Sequence, residues 1–382
     1  MKILKFQFED KSLEWRLEEL SLCKLTLLVG ASGVGKTQIL RSLMALKEIT
    51  EGESLNGIAW LIEFETLTKQ KYIWQGEFEK QDISIFGDEE DNESKKDNPK
   101  IIFEKLFLNE KLIVDRTSKK ILFNGRPTIK LSPQESILSL LKEENLVKPT
   151  HESFKKLYFV DHSTSTQMRR FRFNFNIDRR SKKYKTLEKI QESELVTIFK
   201  LFFLSKMDSQ TFSIIKERFI DIFPQVEDIK IAPIEIEDRK MPRFMKDYLF
   251  IQIKEKGVKN WIHESRISSG MFKTLMQLSE LYLCAEGTVF LIDEFENSLG
   301  INCINEITND ILASKRQLQF ILTSHHPYII DAIGFNNWKL VTRNAGITKT
   351  HTLDKFNIGK SKHSAFMQLL QLEEYQTGQE QI

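Results

Sequence analysis

The chain has 382 residues, 41% apolar and 29% charged, enough for a sizeable buried core in about two to three domain-sized units. Fifty-six Lys and Arg against 54 Asp and Glu leave a net charge of +2, which excludes a uniformly basic nucleic-acid coat but not local patches. No apolar run reaches the roughly 18 residues of a membrane span, no signal-peptide pattern opens the chain, and Cys23, Cys284 and Cys303 sit at neither disulfide nor metal spacing, so a cytoplasmic globular protein without a membrane partner is expected.

Apolar patterning predicts strands at Ile3–Phe8 and Lys24–Val29, then a helix over Thr37–Lys47. A strand at Ile101–Phe107, a helix over Glu135–Lys142 and a strand at Tyr158–Val160 follow. Leu187–Leu204 and Ser209–Ile222 read as two helices of a hairpin whose heptad pattern is not sustained. The last part predicts strands at Tyr248–Ile253, Thr288–Ile292 and Gln319–Thr323 and helices at Ser269–Cys284, Ile301–Ala313 and His363–Leu372. Gly87–Pro99 carries a run of acids and lysines and reads as a solvated loop, and the prolines of Pro224–Pro242 mark a passage from helix to strand. No period of about 20–50 residues repeats, so solenoids and propellers are excluded. Alternating strands and helices at both ends point to an α/β fold with a mostly parallel sheet, flanking helices and a helical insertion lobe. The expected division is 1–150 and 246–382 for two parts of one core, with 151–245 as the lobe.

The most specific motif is Gly30-Ala31-Ser32-Gly33-Val34-Gly35-Lys36-Thr37, which matches G-x-x-x-x-G-K-[ST] between a strand pattern and a helix pattern. Glycines let backbone N–H groups turn inward around a polyphosphate, and the new helix offers its own N–H groups and positive dipole end to the same anion. Lys36 would reach the β- and γ-phosphates, and the Thr37 hydroxyl would ligate Mg²⁺. A second signal is the apolar run Val289–Ile292 ending in Asp293 and Glu294. Strand ends are where α/β folds place ligands, so Asp293 would hold Mg²⁺ through water opposite Thr37, and Glu294 would take the proton of the attacking water. Many strands end in acids at a solvated edge, and only the phosphate loop turns this pair into a functional candidate.

Leu318–Thr323 forms another apolar strand pattern, stopped by Pro327 and leaving His325 at its tip to sense the γ-phosphate, with His326 as a bystander. Ser268-Ser269-Gly270 opens an amphipathic helix. Serine is a good N-cap, so an ordinary capped helix is the plain reading; a second anion site on the same helix start is the functional one. Arg169 to Lys185 places eight cations in seventeen residues, interleaved with Phe171, Phe173, Phe175 and Tyr184. Its cations suit nucleic acid or an acidic protein, while its aromatics suit a core.

Taken together these residues resemble the ABC-type ATPases, and among them the heads of SMC, RecF and overcoming-lysogenisation-defect proteins. Gly30–Thr37 is similar to their Walker A motif and Val289–Glu294 to Walker B; Ser268–Met271 is similar to their signature, departing from L-S-G-G-Q. Asn297–Gly300 matches the D-loop and Thr323–His325 the switch-histidine loop. The resemblance covers residues 1–60 and 245–350 well and the middle poorly, and leaves Gln134 and Gln75 as alternatives for the Q-loop glutamine. Tyr72–Phe78, Leu131–Ser136 and Lys360–His363 look like the bacterial AAA15/AAA21 ATPases, such as those of the Septu and PARIS anti-phage systems. The resemblance implies ATP and Mg²⁺ as cofactors, with Glu294, His325 and Lys36 catalytic. It also implies a homodimer or higher homo-oligomer clasping two nucleotides, Ser268, Ser269 and Gly270 completing the neighbour's site. A separate effector nuclease of TOPRIM or HNH type is implied as partner. DNA-repair ATPases of the SMC/RecF type and transporter nucleotide-binding subunits share the same motifs.

Overall fold

In the computed structural model, residues 1–82, 98–160, 183–207, 209–233, 249–297, 301–356 and 362–380 are described. The expected loop from Gly87 to Asp97, the basic stretch up to Lys182, residues 234–242 and the Ser298–Gly300 part of the D-loop match lie outside them. The chain opens with strands β1 (Lys2–Asp10), β2 (Trp15–Ser21) and β3 (Leu25–Val29) and helix α1 (Lys36–Glu51). Strands β4 (Ile58–Glu65), β5 (Lys71–Phe78), β6 (Ile101–Leu108), β7 (Lys111–Thr117), β8 (Ile121–Phe123) and β9 (Arg126–Pro127) come next. Helices α2 (Ile137–Leu140) and α3 (Lys148–Phe154) lead into β10 (Leu157–Val160). Then come α4 (Leu187–Gln191), α5 (Thr197–Lys206), α6 (Gln210–Ile222) and strands β11 (Val226–Pro233), β12 (Leu249–Glu255) and β13 (Ile262–His263). The remainder is α7 (Ser269–Leu283), β14 (Val289–Ile292), α8 (Ile301–Ala313), β15 (Gln319–Thr323) and α9 (Pro327–Ile333), then β16 (Trp338–Asn344), β17 (Ile347–His351), α10 (Lys362–Gln371) and α11 (Glu373–Thr377).

Two units divide these elements. The first comprises Met1–Val160, Glu286–Phe295 and Lys315–Ile382. Its 14-stranded sheet runs β10-β14-β15-β3-β16-β17-β2-β1-β4-β5-β6-β7-β8-β9. The first five strands are parallel, which is the expected core, and β3, β14 and β15 are buried at every residue as a two-sided sheet requires. From β2 through β9 the pairing is antiparallel, so the sheet is mixed rather than mostly parallel. Strict alternation in β4 and β5 marks one covered face, where Trp60, Trp74, Phe64 and Phe154 pack ring against ring. Helix α1 turns Ile39, Leu40, Leu43 and Leu46 into the same core and lies against β10 and β15.

A buried ion pair fastens the antiparallel arm to the segment that follows it. Glu104 accepts hydrogen bonds from Trp74 Nε1 (2.9 Å), Ser136 Oγ (2.5 Å) and the Ile137 N–H (2.9 Å), with Arg116 3.6 Å away. Arg116 in turn donates to the carbonyls of Ser132 and Glu135. Burial pushes the Glu104 carboxyl above its ordinary value, against the pull of its donors and of Arg116. The expected helix over Glu135–Lys142 shrinks to α2 because Ser136 stops it at one end as its N-cap.

The second unit comprises Asp161–Ala285 and Glu296–Ser314. Helices α5, α6 and α7 pack on one another, and α5 and α6 cover the antiparallel sheet β11-β12-β13. Arg218 on α6 holds Asp310 on α8 at 2.9 Å. The expected helix over Leu187–Leu204 is broken into α4 and α5. Ser193 Oγ donates to the Ile190 carbonyl, and the ammonium of the buried Lys200 donates to the carbonyls of Gln191 and Leu283. Tyr184 is buried against Phe203 at 5.1 Å, so this aromatic of the basic stretch belongs to the core. These units differ from the expected boundaries: α7, expected with residues 246–382 of the core, groups with the middle segment because its apolar face packs on α5 and α6.

Arg116→Met leaves the Glu104 carboxylate buried without its cation and is expected to lower stability by about 3 kcal/mol, read from urea unfolding.

Candidate functional site

The phosphate loop is a turn between a fully buried strand and a long helix, and three contacts fix its shape. Gly30 stands so close to β16 that a Cβ there would lie 2.5 Å from the Val341 carbonyl oxygen. Thr348 on β17 donates to the Val34 carbonyl (3.3 Å) and accepts from Trp15 Nε1 (2.9 Å). On its other side Gly378, just past α11, is in the left-handed conformation at φ 74°, and a Cβ there would meet Val34 Cγ1 at 2.4 Å and Ala31 Cβ at 3.2 Å. That segment is pinned where the Arg343 N–H donates to the Gly378 carbonyl (2.7 Å) and Glu380 bonds Lys349 (2.9 Å).

Within the loop, the buried Lys36 ammonium donates to the carbonyls of Gly30 (2.9 Å) and Ala31 (2.7 Å). Ser32 and Gly33 are exposed, and Gly35 begins α1 with no side chain capping it and no acid in the first turn. A helix start left open in this way, with a lysine folded beside it, is suited to a multiply charged anion.

Asp293 joins the loop to the neighbouring strands. Its Oδ2 accepts from Thr37 Oγ1 at 2.8 Å and its Oδ1 from Thr323 Oγ1 at 2.6 Å. Thr323 ends β15, the strand lying between β3 and β14. Glu294 follows Asp293 with φ 46°, an uncommon left-handed conformation for a residue with a side chain, and the residue is exposed. Its N–H donates to Thr323 Oγ1 (2.8 Å), and the Phe295 N–H donates to the Thr323 carbonyl (3.0 Å). Thr323 thus contacts three consecutive residues. Sequence reasoning placed this threonine only at the start of the switch-histidine match and gave its side chain no role, although a hydroxyl closing an otherwise apolar strand run was a visible signal.

His325 is exposed at the tip beyond β15, next to the buried Ser324. His326 is more than a bystander, since its ring Nδ1 caps α9 by accepting from the Tyr328 N–H (3.3 Å). Gln75 lies within β5, six strands from β3, whereas Gln134 sits half-buried in the loop that Arg116 holds. In the second unit, Ser268 and Ser269 are exposed, and Ser268 Oγ caps α7 by accepting from the Met271 N–H at 3.2 Å. The plain capping reading therefore holds for Ser268, at a helix start that faces solvent.

A phosphate loop on one buried strand, with an acid pair on a second and a polar tip on the strand between, is the arrangement of a P-loop ATPase. The chain belongs to the family described as "AAA domain, putative AbiEii toxin, Type IV TA system", whose model matches residues 25–331. No curated protein matches it in sequence. Among solved structures it is similar to an SMC head bound to the C-winged helix domain of ScpA, at 14% identity and a TM-score of 0.51, over 93% of this chain and 99% of that one. An SMC head with an extended coiled coil, bound to the C-terminal domain of ScpA derived from Pyrococcus furiosus, matches at 14% identity and a TM-score of 0.46, over 97% and 98%. The SMC head domain from Thermotoga maritima matches at 14% and 0.43, over 92% and 99%. At such identity the first of these speaks for the fold alone.

The family implies a nucleotide and usually Mg²⁺, and the residues fit both: an uncapped helix start and Lys36 for phosphates, and a hydroxyl and a carboxylate already converging for a hard cation. When bound, the cation neutralises charge developing on the transferred phosphoryl group. Among the described residues no helix is long and apolar enough to cross a membrane.

Gly378 and Gly125 have nearly equal positive φ, 74° and 78°, but only Gly378 has neighbours for a Cβ. Gly378→Ala is therefore expected to cost at least about 1 kcal/mol more than Gly125→Ala in chemical denaturation, the excess being the contact with the phosphate loop.

Proposed function

We propose that this ATPase is an ATP-driven switch in which two copies clasp two ATP–Mg²⁺ units and control a separate effector. The observation that carries the reading is a division of labour. One unit holds the phosphate loop, the Thr37–Asp293 pair and the exposed Glu294; the other presents the exposed serine start of α7. In this reading Gly30, Ala31, Ser32, Gly33, Val34 and Gly35 wrap the phosphates, Lys36 holds the terminal ones, and Thr37 and Asp293 hold the cation. Glu294 accepts the proton of the attacking water and His325 contacts the terminal phosphate. Ser268, Ser269 and Gly270 of one copy complete the site of the other, and Gln134 serves as the Q-loop glutamine.

The wider setting we propose is cytoplasmic anti-phage defence, with a TOPRIM- or HNH-type nuclease as the effector. The family description, which names a toxin of a Type IV TA system, supports a role in such a two-component device. The SMC head seen bound to the C-winged helix domain of ScpA supports a head that acts through a partner protein.

Glu294→Gln is expected to keep ATP binding, lose about 10²-fold or more in turnover and accumulate as a dimer with ATP–Mg²⁺ in light scattering. A fully active, monomeric Glu294→Gln protein would contradict the proposal. Ser268→Arg is expected to bind nucleotide normally, with Lys36 intact, while ATP turnover stops; unchanged turnover excludes a site shared between copies.

A further inference from the structure

The acid pair has a neighbour whose geometry goes beyond packing. We infer that Thr323 is a positioning residue for hydrolysis: its hydroxyl holds Asp293 and the Glu294 backbone in the arrangement that aims the Glu294 carboxylate. The inference rests on the reading of Glu294 as the group that accepts the water's proton.

Three observations lead to it. First, Thr323 Oγ1 is used in both directions, donating to Asp293 Oδ1 at 2.6 Å and accepting from the Glu294 N–H at 2.8 Å. A hydroxyl can do both at once, and no apolar side chain of the same shape can do either. Second, Glu294 at φ 46° stands in a conformation that costs a residue with a Cβ about 1–2 kcal/mol, so the surroundings must impose it. The bonds that flank this φ end on one residue: the Glu294 N–H on the Thr323 hydroxyl, and the Phe295 N–H on the Thr323 carbonyl at 3.0 Å. Third, Thr323 is 1% exposed and ends a fully buried strand with a paired strand on each side, so its backbone is held in place.

The consequence for chemistry is directional. In extended or right-handed backbone the Glu294 side chain would leave the chain along a different vector. Asp293, held from one side by Thr37 and from the other by Thr323, could also turn away from the loop once one of them is removed. Misplacement of a reacting group by about 1 Å can cost roughly 10²-fold in rate, without any change in how tightly the substrate is held elsewhere. Thr323 therefore acts on turnover through Glu294 and leaves the phosphate contacts of the loop and Lys36 in place.

The test compares Thr323→Val, Thr323→Ser and Glu294→Gln in the full chain, measuring ATP turnover, ATP–Mg²⁺ affinity and melting temperature. Thr323→Val keeps the shape and removes the hydroxyl; kcat is expected to fall by about tenfold to 10²-fold with affinity within about threefold of the parent. Thr323→Ser restores the hydroxyl and is expected to recover turnover to within about threefold. If Thr323→Val does not fold, Thr323→Ala removes the same hydroxyl without added bulk and supplies the comparison with Thr323→Ser. Normal turnover in Thr323→Val, equal damage in Thr323→Ser, or loss of nucleotide binding in step with turnover would each overturn the inference, because the hydroxyl would then be idle or merely structural. A Glu294→Gln protein that turns over normally would instead overturn the underlying assignment of Glu294. An inactive Glu294→Gln beside a normal Thr323→Val overturns the role of Thr323 alone.

Discussion

One carboxylate, that of Asp293, ties the phosphate-loop end of the parallel sheet together. It accepts from the helix that follows β3 through Thr37 and from the end of β15 through Thr323, while sitting itself at the end of β14. Two neighbouring strand ends, those of β14 and β15, and the start of α1 thus meet at two oxygens. Charge-assisted bonds of this kind are short and strong, and they fix angles as well as distances. The phosphate loop, the acid pair and the strand tip that carries His325 keep their mutual register because of it.

Around that point the fold keeps the loop in shape by close approach rather than by bulk. Gly30 lies against the β16 backbone, Thr348 holds the Val34 carbonyl, and the segment after α11 leans on Ala31 and Val34 through a residue without a side chain. The antiparallel arm uses a different device, a buried carboxylate and guanidinium, to fasten Leu131–Ile137 to the strands before it. A buried pair of this type contributes more to register than to net stability, since desolvation offsets much of its attraction. Both devices act within the first unit, which also holds the phosphate loop and the acid pair.

The parallel core was legible because its strands are buried on both faces and read as unbroken apolar runs, as in Leu25–Val29, Val289–Ile292 and Gln319–Thr323. The antiparallel arm was far less so. In strands such as β4 and β5 the buried aromatics alternate with a mixture of Ala, Leu and Ile beside Glu, Gln and Lys, which blurs the period of two in the sequence although the two strands pair with each other. The break between α4 and α5 depends on a lysine reaching back to carbonyls that the helical periodicity hides. The grouping of α7 with the middle segment follows from which faces pack, and motif order carries no information on that.

The amino-acid sequence alone established the phosphate loop, the acid pair and the α/β class, because each is a local pattern whose chemistry depends on residue type and spacing. The tertiary structure decided which hydroxyls share the Asp293 carboxylate, that Glu294 stands in left-handed backbone, and that residues near position 378 brace the loop at position 30. Those facts join residues tens to hundreds of positions apart, and only the pairing of strands in a sheet brings such residues within hydrogen-bonding reach.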